Sequence, residues 1–137
     1  MRENIRRVTT FDLQRVKEIE NSSFPQTPYD ILTFIAYWVS YPESFLVHED
    51  RGVKGYIIFD PYDGHIVSIA VDQDYRRMRI GSTLIAEVLD RVGKAYVEVR
   101  ESNKEAIEFY RSLGFEKIDR APKYYVNEDG LIMVKTT

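Results

Sequence analysis

An apolar segment, a basic loop and an amphipathic segment follow one another in the middle of the chain, and this succession most constrains the fold. His65–Val71 is an almost continuous apolar run of strand length, which is typical of a strand buried on both faces. Ile80–Val92 has the spacing of an amphipathic helix, and Gly93 suits its end. The apolar stripe of that helix consists of Ile80, Leu84, Ile85, Val88, Leu89 and Val92. The sequence therefore predicts a buried strand that leads through a basic turn into a helix packed on the sheet.

The rest of the chain supplies further short strands and helices around this unit. Strands are predicted at Asn4–Val8, Phe45–His48, Gly55–Asp60, Ala95–Arg100, Phe115–Asp119 and Leu131–Lys135, and helices at Asp12–Glu20, from Ile31 to Tyr41, and at Lys104–Leu113. Strands alternate with helices only in the second half. This order favours an α/β (α+β) fold, a mixed central sheet of about six to seven strands with helices on both faces. The 137 residues suffice for one domain, which we expect to span 1–137.

Composition excludes several classes of protein and site. The chain has no cysteine, so disulfides, thiolate metal sites and cysteine nucleophiles are excluded. Its two histidines, His48 and His65, are isolated, and we interpret them as structural, with no metal site. The net charge of −3 argues against a nucleic-acid partner. There is neither an apolar run near the roughly 18 residues of a membrane span nor a signal-peptide core, so we expect a cytoplasmic protein with no membrane partner. We also expect a monomer or weak dimer.

The loop at residues 72–79 has the features of a phosphate site. The N-terminus of the following helix offers unpaired N–H groups and about half a positive charge, which can hold a phosphate. Gly81 allows the backbone to come close to an oxygen, and Arg76, Arg77 and Arg79 add positive charge. The alternative is a solvated basic turn before a surface helix, and local composition does not decide between the two.

A second segment, Glu98–Phe115, joins a predicted strand end to a predicted helix. Asn103 stands one residue before that helix and is suited to cap it. Ala106, Ile107 and Tyr110 share one helix face, which by itself is as typical of core packing as of a binding site.

Both segments resemble the GCN5-related N-acetyltransferase (GNAT) superfamily. The first is similar to its acetyl-CoA-binding loop, Gln/Arg-x-x-Gly-x-Gly/Ala, with Arg76 and Gly81 at the first and last positions. Arg79 stands where the family has its first glycine, and we expect ordinary helical-turn backbone there, with the side chain directed outward or toward a phosphate. The second matches Leu-Glu-Val-Arg-x-Ser-Asn-x-x-Ala-Ile-x-x-Tyr-x-x-Leu-Gly-Phe at nearly every fixed position, with Val97 for the leucine. That pattern belongs especially to ribosomal-protein-alanine and other protein N-terminal acetyltransferases.

The resemblance implies roles for individual residues. Glu98 would be the general base, although it could instead pair with Arg100 on the same strand face. Tyr110 would protonate the leaving sulfur, because a hydroxyl with a pKa near 10 stays protonated at neutral pH. The acetyl-CoA site would comprise Ile69, Ala70, Val71, Arg76, Arg77, Met78, Arg79, Ile80, Gly81, Ser82, Asn103 and Tyr110. The acceptor would lie against Phe24, Pro25, Tyr124 and Tyr125.

The implied function is direct transfer of an acetyl group from acetyl-CoA, without a metal, to a primary amine. The α-amine of a protein or peptide N-terminus has a pKa of about 7.7–8 and is partly neutral at pH 7, whereas a lysine amine is about a thousandfold less available. A single carboxylate suits the first acceptor better. Two alternatives stay open: an acetyltransferase for a small amine or a protein lysine, and a non-catalytic CoA-binding sensor or subunit.

Overall fold

Over residues 2–25 and 28–137, which the computed structural model describes, four α-helices and seven strands follow one another in the predicted order. The helices are α1 (Leu13–Ser23), α2 (Ile31–Ser40), α3 (Ile80–Val92) and α4 (Lys104–Ser112). The strands are β1 (Ile5–Arg7), β2 (Phe45–Glu49), β3 (Val53–Phe59), β4 (Ile66–Val71), β5 (Lys94–Arg100), β6 (Glu116–Tyr125) and β7 (Glu128–Thr136). None of the described helices is long and apolar enough to span a membrane.

The strands form two sheets rather than one continuous sheet. The first four pair antiparallel in chain order, and in the second sheet β7 lies between β5 and β6. Between β4 and β5 the described residues contain a single parallel bridge, which joins His65 to Tyr96. The predicted mixed sheet is therefore divided at its centre, where two parallel strands begin side by side and then part.

A bulge in β4 marks the place where the two sheets part. Ile58 on β3 faces Ser68, whereas the next residue, Phe59, faces Ile66, so Val67 has no partner on β3. A bulge bends its strand and increases the local twist. This bend accounts for the separation of β4 from β5 just after the bridge.

Helices cover both faces of the first sheet. α1 and α2 lie on one face, in an apolar cluster built around Val16, Phe34 and Tyr56. α3 and α4 lie on the other face, where Leu84 and Ile107 join a cluster that also includes the second sheet. The two clusters are separated by the sheet itself, because neighbouring residues along a strand point to opposite faces.

β6 runs well beyond the predicted strand Phe115–Asp119, because it forms a long hairpin with β7. Its pairing shifts twice, once near Ile118 and once between Ala121 and Tyr125. Lys123, inside the second irregularity, has a left-handed φ of 52°. A proline and these irregularities hide the strand pattern in the sequence. The extra length carries the end of β6 back to the gap between the sheets.

Candidate active site

The gap between β4 and β5 contains a strand edge that no other strand of the described residues covers. β3 occupies one edge of β4 and pairs with Ile69, Ala70 and Val71, while the other edge faces the gap. Ligands of sheets with parallel neighbours bind beyond the carboxyl ends of the strands at such points. An extended chain with amide groups can pair with a free strand edge as another strand would. The gap therefore suits a ligand that carries amides.

The loop between β4 and α3 contains two arginines in the left-handed conformation. Arg77 has a φ of 68°, and Arg79, the residue before α3, has a φ of 63°. The prediction of ordinary helical backbone at Arg79 is therefore wrong. The chain has to turn between extended Arg76 and the first turn of α3, and a left-handed residue makes that turn. For a residue with a Cβ atom this conformation costs about 1–2 kcal/mol, a strain that a glycine would avoid.

The first turn of α3 keeps its N–H groups free of side-chain caps. The hydroxyls of Ser82 and Thr83 both turn back onto the carbonyl of Arg79, at 3.1 and 2.6 Å. The N–H groups of residues 80–82 have no partner within their own helix, as at every helix start. Arg77 and Arg79 form no ion pair within the part of the chain that the structure describes. Backbone donors and unpaired cations therefore meet at one place, which suits an anion.

Gly81 allows α4 to pack against the first turn of α3. A Cβ atom at this position would lie 3.2 Å from the ring of Phe109 on α4. Phe109 in turn contacts Tyr110 edge to face, with 5.1 Å between the ring centroids. A side chain at position 81 would therefore press on the neighbour of Tyr110 as well as obstruct the exposed N–H groups.

Tyr110 is almost fully buried between the rings of Phe109 and Phe115. Burial raises the pKa of its hydroxyl well above the usual value, and the neighbouring Tyr125 and Glu98 add to the shift. The hydroxyl is therefore protonated at neutral pH, as a proton donor must be. It lies within electrostatic reach of Glu98, the predicted base.

Asn103 has the capping role that its position in the sequence predicts. Its Oδ1 accepts a hydrogen bond from the N–H of Ala106 at 3.1 Å, in the first turn of α4. The side-chain NH₂ group remains for a ligand, because an amide has two donors besides its oxygen.

Glu98 on β5 is bonded to His65, which stands just before β4. Glu98 Oε1 lies 2.7 Å from His65 Nε2, so the pair joins the two strands at their bridge. The His65 ring stacks on Tyr96 at 4.7 Å, and the Tyr96 hydroxyl donates to Asp63. The side chains of Glu98 and His65 are 17% and 28% exposed, so a ligand can reach them. The hydrogen bond to Glu98 raises the pKa of His65 above its usual value, although burial opposes the shift.

The surroundings of Glu98 change two interpretations of the sequence. The alternative pair between Glu98 and Arg100 does not form, because Arg100 bonds to Glu128 at 3.2 Å and lies over the ring of Tyr125. His65, interpreted as structural, is in direct contact with the predicted base. Its place at the start of the apolar strand, next to the strand of Glu98, is the signal that could have identified it.

Several tyrosines line the gap near Glu98 and the bulge of β4. The Tyr125 hydroxyl donates to the backbone carbonyl of Glu98 at 3.2 Å, and Tyr124 contacts Tyr125 edge to face. Burial, followed by the charge of Glu98, raises the pKa of Tyr124. Tyr29, which sequence reasoning missed, lies here too: its hydroxyl is 3.5 Å from the carbonyl of Val67, the bulge residue. Burial raises the pKa of Tyr29 to about 12, and the charges of Tyr124 and Glu98 contribute.

Phe24 and Pro25 follow α1 and are exposed. Within the described residues, neither makes a hydrogen bond or a ring contact with the group around Glu98. The structure thus brings together Glu98, His65, Tyr124 and Tyr125, and it leaves Phe24 and Pro25 at the surface. Residues 2–25 and 28–137 also contain no group of three or more His, Cys, Asp or Glu side chains that could hold a metal ion.

The chain is similar to acetyltransferases over most of its length. Residues 13–115 match the acetyltransferase (GNAT) family. The chain belongs to this family. An uncharacterised N-acetyltransferase of Methanocaldococcus jannaschii is 36% identical to this GNAT protein, over 96% of this chain and 90% of its own length. The catalytic subunit of the N-terminal acetyltransferase B complex of Arabidopsis thaliana is 33% identical, over 94% of this chain and 78% of its own length.

A solved structure agrees with the arrangement of the elements. Ard1 from Thermoplasma volcanium matches this GNAT protein with a TM-score of 0.87 and 29% identity, covering 97% of this chain and 96% of its own. The mixed α/β GNAT fold and the acyltransferase class that the resemblance implies are therefore confirmed.

Proposed function

We propose that this GNAT protein transfers the acetyl group of acetyl-CoA directly to the α-amine at the N-terminus of a protein or peptide. The observation that carries the proposal is the His65–Glu98 pair. The pair lies beside a free strand edge and next to Tyr125, whose hydroxyl donates to the Glu98 carbonyl. The gap is thus bordered by a proton acceptor, which is the pair, and by a proton donor, which is the Tyr110 hydroxyl. The free strand edge can bind an acetyl donor that carries amide groups. The relative named as a subunit of an N-terminal acetyltransferase complex supports the same class of acceptor.

On the donor side, backbone groups provide most of the binding. We assign the pantetheine amides to the free edge of β4 at residues 69–71, and the pyrophosphate to the N–H groups at the start of α3. Arg76, Arg77 and Arg79 add positive charge, and Asn103 offers its NH₂ group. Bound there, acetyl-CoA supplies a thioester carbonyl that an amine can attack.

The reaction needs one proton to leave nitrogen and one to reach sulfur. The lone pair of the neutral amine attacks the thioester carbon, so a C–N bond forms and the C–S bond breaks. The proton that nitrogen loses passes to the His65–Glu98 pair, and the departing sulfur takes the proton of the Tyr110 hydroxyl. Transfer of a proton from the pair back to Tyr110 restores both groups. Tyr29, Tyr124 and Tyr125 hold the peptide against the gap.

The pair suits this acceptor better than a lone carboxylate does. An α-amine has a pKa of about 7.7–8, whereas an ordinary glutamate near 4.3 is a weak base for it. Glu98 raises the pKa of His65 above its usual value. The pKa of the proton acceptor is therefore closer to that of the amine. Above that raised pKa the imidazole is neutral and can accept a proton. Below it the imidazolium is already paired with Glu98 and cannot.

Mass spectrometry of matched peptides tests the acceptor class. Each peptide begins with Ala, Ser, Met or Thr and contains one internal lysine, and its partner has the same sequence with a blocked N-terminus. We expect acetylation of the free N-terminus and none of the blocked peptide. Modified lysine in the blocked peptide would support the lysine alternative. Thermal stabilisation by acetyl-CoA without acetylation of any amine would support a non-catalytic CoA-binding protein.

A further inference from the structure

The protein holds a carboxylate in its apolar core, beneath the acceptor side of the gap. Glu20, in the last two turns of α1, is only 2% exposed. Within the part of the chain that the structure describes, it forms no ion pair with a lysine, arginine or histidine. A buried carboxylate without a cation is costly unless it is well hydrogen-bonded. Its hydrogen-bond partners therefore indicate its role.

The two oxygens of Glu20 accept hydrogen bonds from three separate elements. Oε1 accepts from the hydroxyls of Tyr56 on β3 and Ser68 on β4, and these two hydroxyls are 2.9 Å apart. Oε2 accepts from the backbone N–H of Tyr29, before α2, at 3.1 Å. Ser68 directly follows the bulge residue Val67, and Tyr29 carries the hydroxyl that lies beside the Val67 carbonyl. Glu20 thus ties α1 to two segments that border the gap.

α1 holds both backbone polar groups of Tyr29. Lys17, one turn before Glu20, donates from Nζ to the Tyr29 carbonyl at 2.5 Å. The same ammonium donates to Oδ1 of Asn21 at 2.8 Å, which keeps Lys17 in place. The Tyr29 ring packs edge to face on Phe34, with 6.0 Å between the centroids. Because its backbone and ring are both held, the hydroxyl of Tyr29 stays beside the bulge of β4.

We propose that Glu20 is a positioning residue for the acceptor. It holds Tyr29 in the tyrosine wall, formed by Tyr29, Tyr124 and Tyr125, at the place that the incoming N-terminus requires. This inference rests on the proposed function, since only an acceptor bound at this wall would respond to the position of Tyr29. Glu20 acts as a hydrogen-bond acceptor rather than as a charge. The N–H of Tyr29 can only donate, whereas the hydroxyls of Tyr56 and Ser68 can donate or accept. Glutamine can therefore satisfy all three partners, and methionine, of similar length, can satisfy none.

The test compares Glu20→Met with Glu20→Gln. Steady-state assays give the KM for a peptide acceptor, and calorimetry gives the Kd for acetyl-CoA. We expect Glu20→Met to raise the peptide KM by about 10-fold or more, because a displacement of about 1 Å can cost up to about 100-fold. The Kd for acetyl-CoA should stay within about twofold, since Glu20 bonds to none of the residues assigned to acetyl-CoA. Glu20→Gln should restore the peptide KM to within about threefold of the wild type.

Hydrogen exchange at the Tyr29 amide provides a readout that needs no acceptor. This amide should be protected in the wild type and in Glu20→Gln, and it should exchange faster in Glu20→Met. If Glu20→Met does not fold, Lys17→Met releases the Tyr29 carbonyl from the partly buried side of α1 without changing the core. That variant is expected to raise the peptide KM in the same direction, by a smaller factor.

Two results would overturn the proposal. An equal loss of acetyl-CoA affinity and peptide affinity in Glu20→Met would mean general damage to the fold. An impairment of Glu20→Gln as large as that of Glu20→Met would mean that the charge is what matters. A wild-type protein that acetylates no peptide would instead contradict the proposed function. In that case, protection of the Tyr29 amide that depends on Glu20 would still support the conclusion that Glu20 holds Tyr29.

Discussion

The proposed donor side of the gap, along β4 and the start of α3, offers mainly backbone groups, whereas the proposed acceptor side offers mainly side chains. On the donor side, the N–H groups at the start of α3 follow a loop with Arg77 and Arg79 in the left-handed conformation. On the acceptor side, Glu98, His65 and Tyr125 are partly buried and bonded across two strands. The first side is strained and exposed, while the second is a connected hydrogen-bonded group.

This difference predicts different sensitivities to substitution. Every residue has a backbone N–H, so the donor side should respond to changes that block or bend the backbone rather than to the loss of one side chain. The acceptor side depends on particular functional groups at fixed distances, so removal of a single group should change the chemistry there. Four substitutions test this contrast, from the largest expected effect to the smallest.

Gly81→Asp should abolish acetyl-CoA binding. The new carboxylate would stand among the N–H groups proposed to hold the pyrophosphate, and its Cβ would meet Phe109 at 3.2 Å. At a ligand concentration of 100 times Kd, the wild type should gain about 2.7 kcal/mol in free energy of unfolding. Thermal unfolding of the variant should show almost none of this gain. Gly81→Ala introduces the steric contact without the charge and should retain part of this gain in free energy of unfolding. A full gain in Gly81→Asp would mean that the phosphates bind elsewhere.

Tyr110→Phe should lower kcat by about 100-fold, at the lower end of the range for a general acid. The ring would keep its contacts with Phe109 and Phe115, so the Kd for acetyl-CoA should not change. Single-turnover kinetics measure the chemical step directly. Tyr62→Phe, at an exposed tyrosine, is the matched control. A rate for Tyr110→Phe equal to that of the control would show that Tyr110 only packs.

Glu98→Gln should shift the pH profile of kcat/KM toward acid and lower its plateau by about 10-fold. In the wild type the rate should rise as His65 loses its proton, at a pH above 6.5, the usual pKa of histidine, because the Glu98 carboxylate raises the pKa of His65. Glutamine carries no charge, so the midpoint should fall, although the charges of Asp63 and Asp60 still raise the pKa of His65. The acceptor amine titrates identically in both enzymes and serves as the internal reference.

Two further variants show whether His65 and Glu98 act as one unit. Glu128→Gln removes a carboxylate that pairs with Arg100, and it should leave the midpoint unchanged. A His65→Gln, Glu98→Gln double variant should be about as slow as the slower single variant, because groups that act together are not additive. An unshifted midpoint in Glu98→Gln would remove His65 as the proton acceptor.

Arg79→Gly should stabilise the protein slightly. Glycine removes about 1–2 kcal/mol of left-handed strain and loses about 0.5–1 kcal/mol through its greater freedom in the unfolded chain. The net gain in free energy of unfolding, measured with denaturant, should be about 0.5–1 kcal/mol. Arg76→Gly is the control, because Arg76 is extended and has no strain to relieve. Equal losses of stability in both variants would show that the loop is not strained at Arg79.

The parts of the fold that depend on local pattern were predictable. The bounds of α3 agree with the prediction because one apolar stripe and a glycine define them. The conformation of Arg79 was not predictable, because it depends on the direction in which β4 delivers the chain to α3. The length of β6 was not predictable either, because its pairing with β7 passes through two irregularities around a proline. The roles of Phe24 and Pro25 in acceptor binding stay predictions.

The sequence by itself determined the order of elements, the absence of cysteine chemistry, and the two motifs that indicate an acetyltransferase. Only the tertiary structure decided that His65, 33 residues away in the chain, is the partner of Glu98. It also decided that the Tyr29 hydroxyl lies beside the bulge of β4 and that the Tyr29 N–H donates to Glu20. The physical reason is register: a shift of one residue along a strand sends every later side chain to the opposite face. The bulge at Val67 is such a shift. It arises in the pairing of β4 with β3, and no local sequence pattern indicates that pairing.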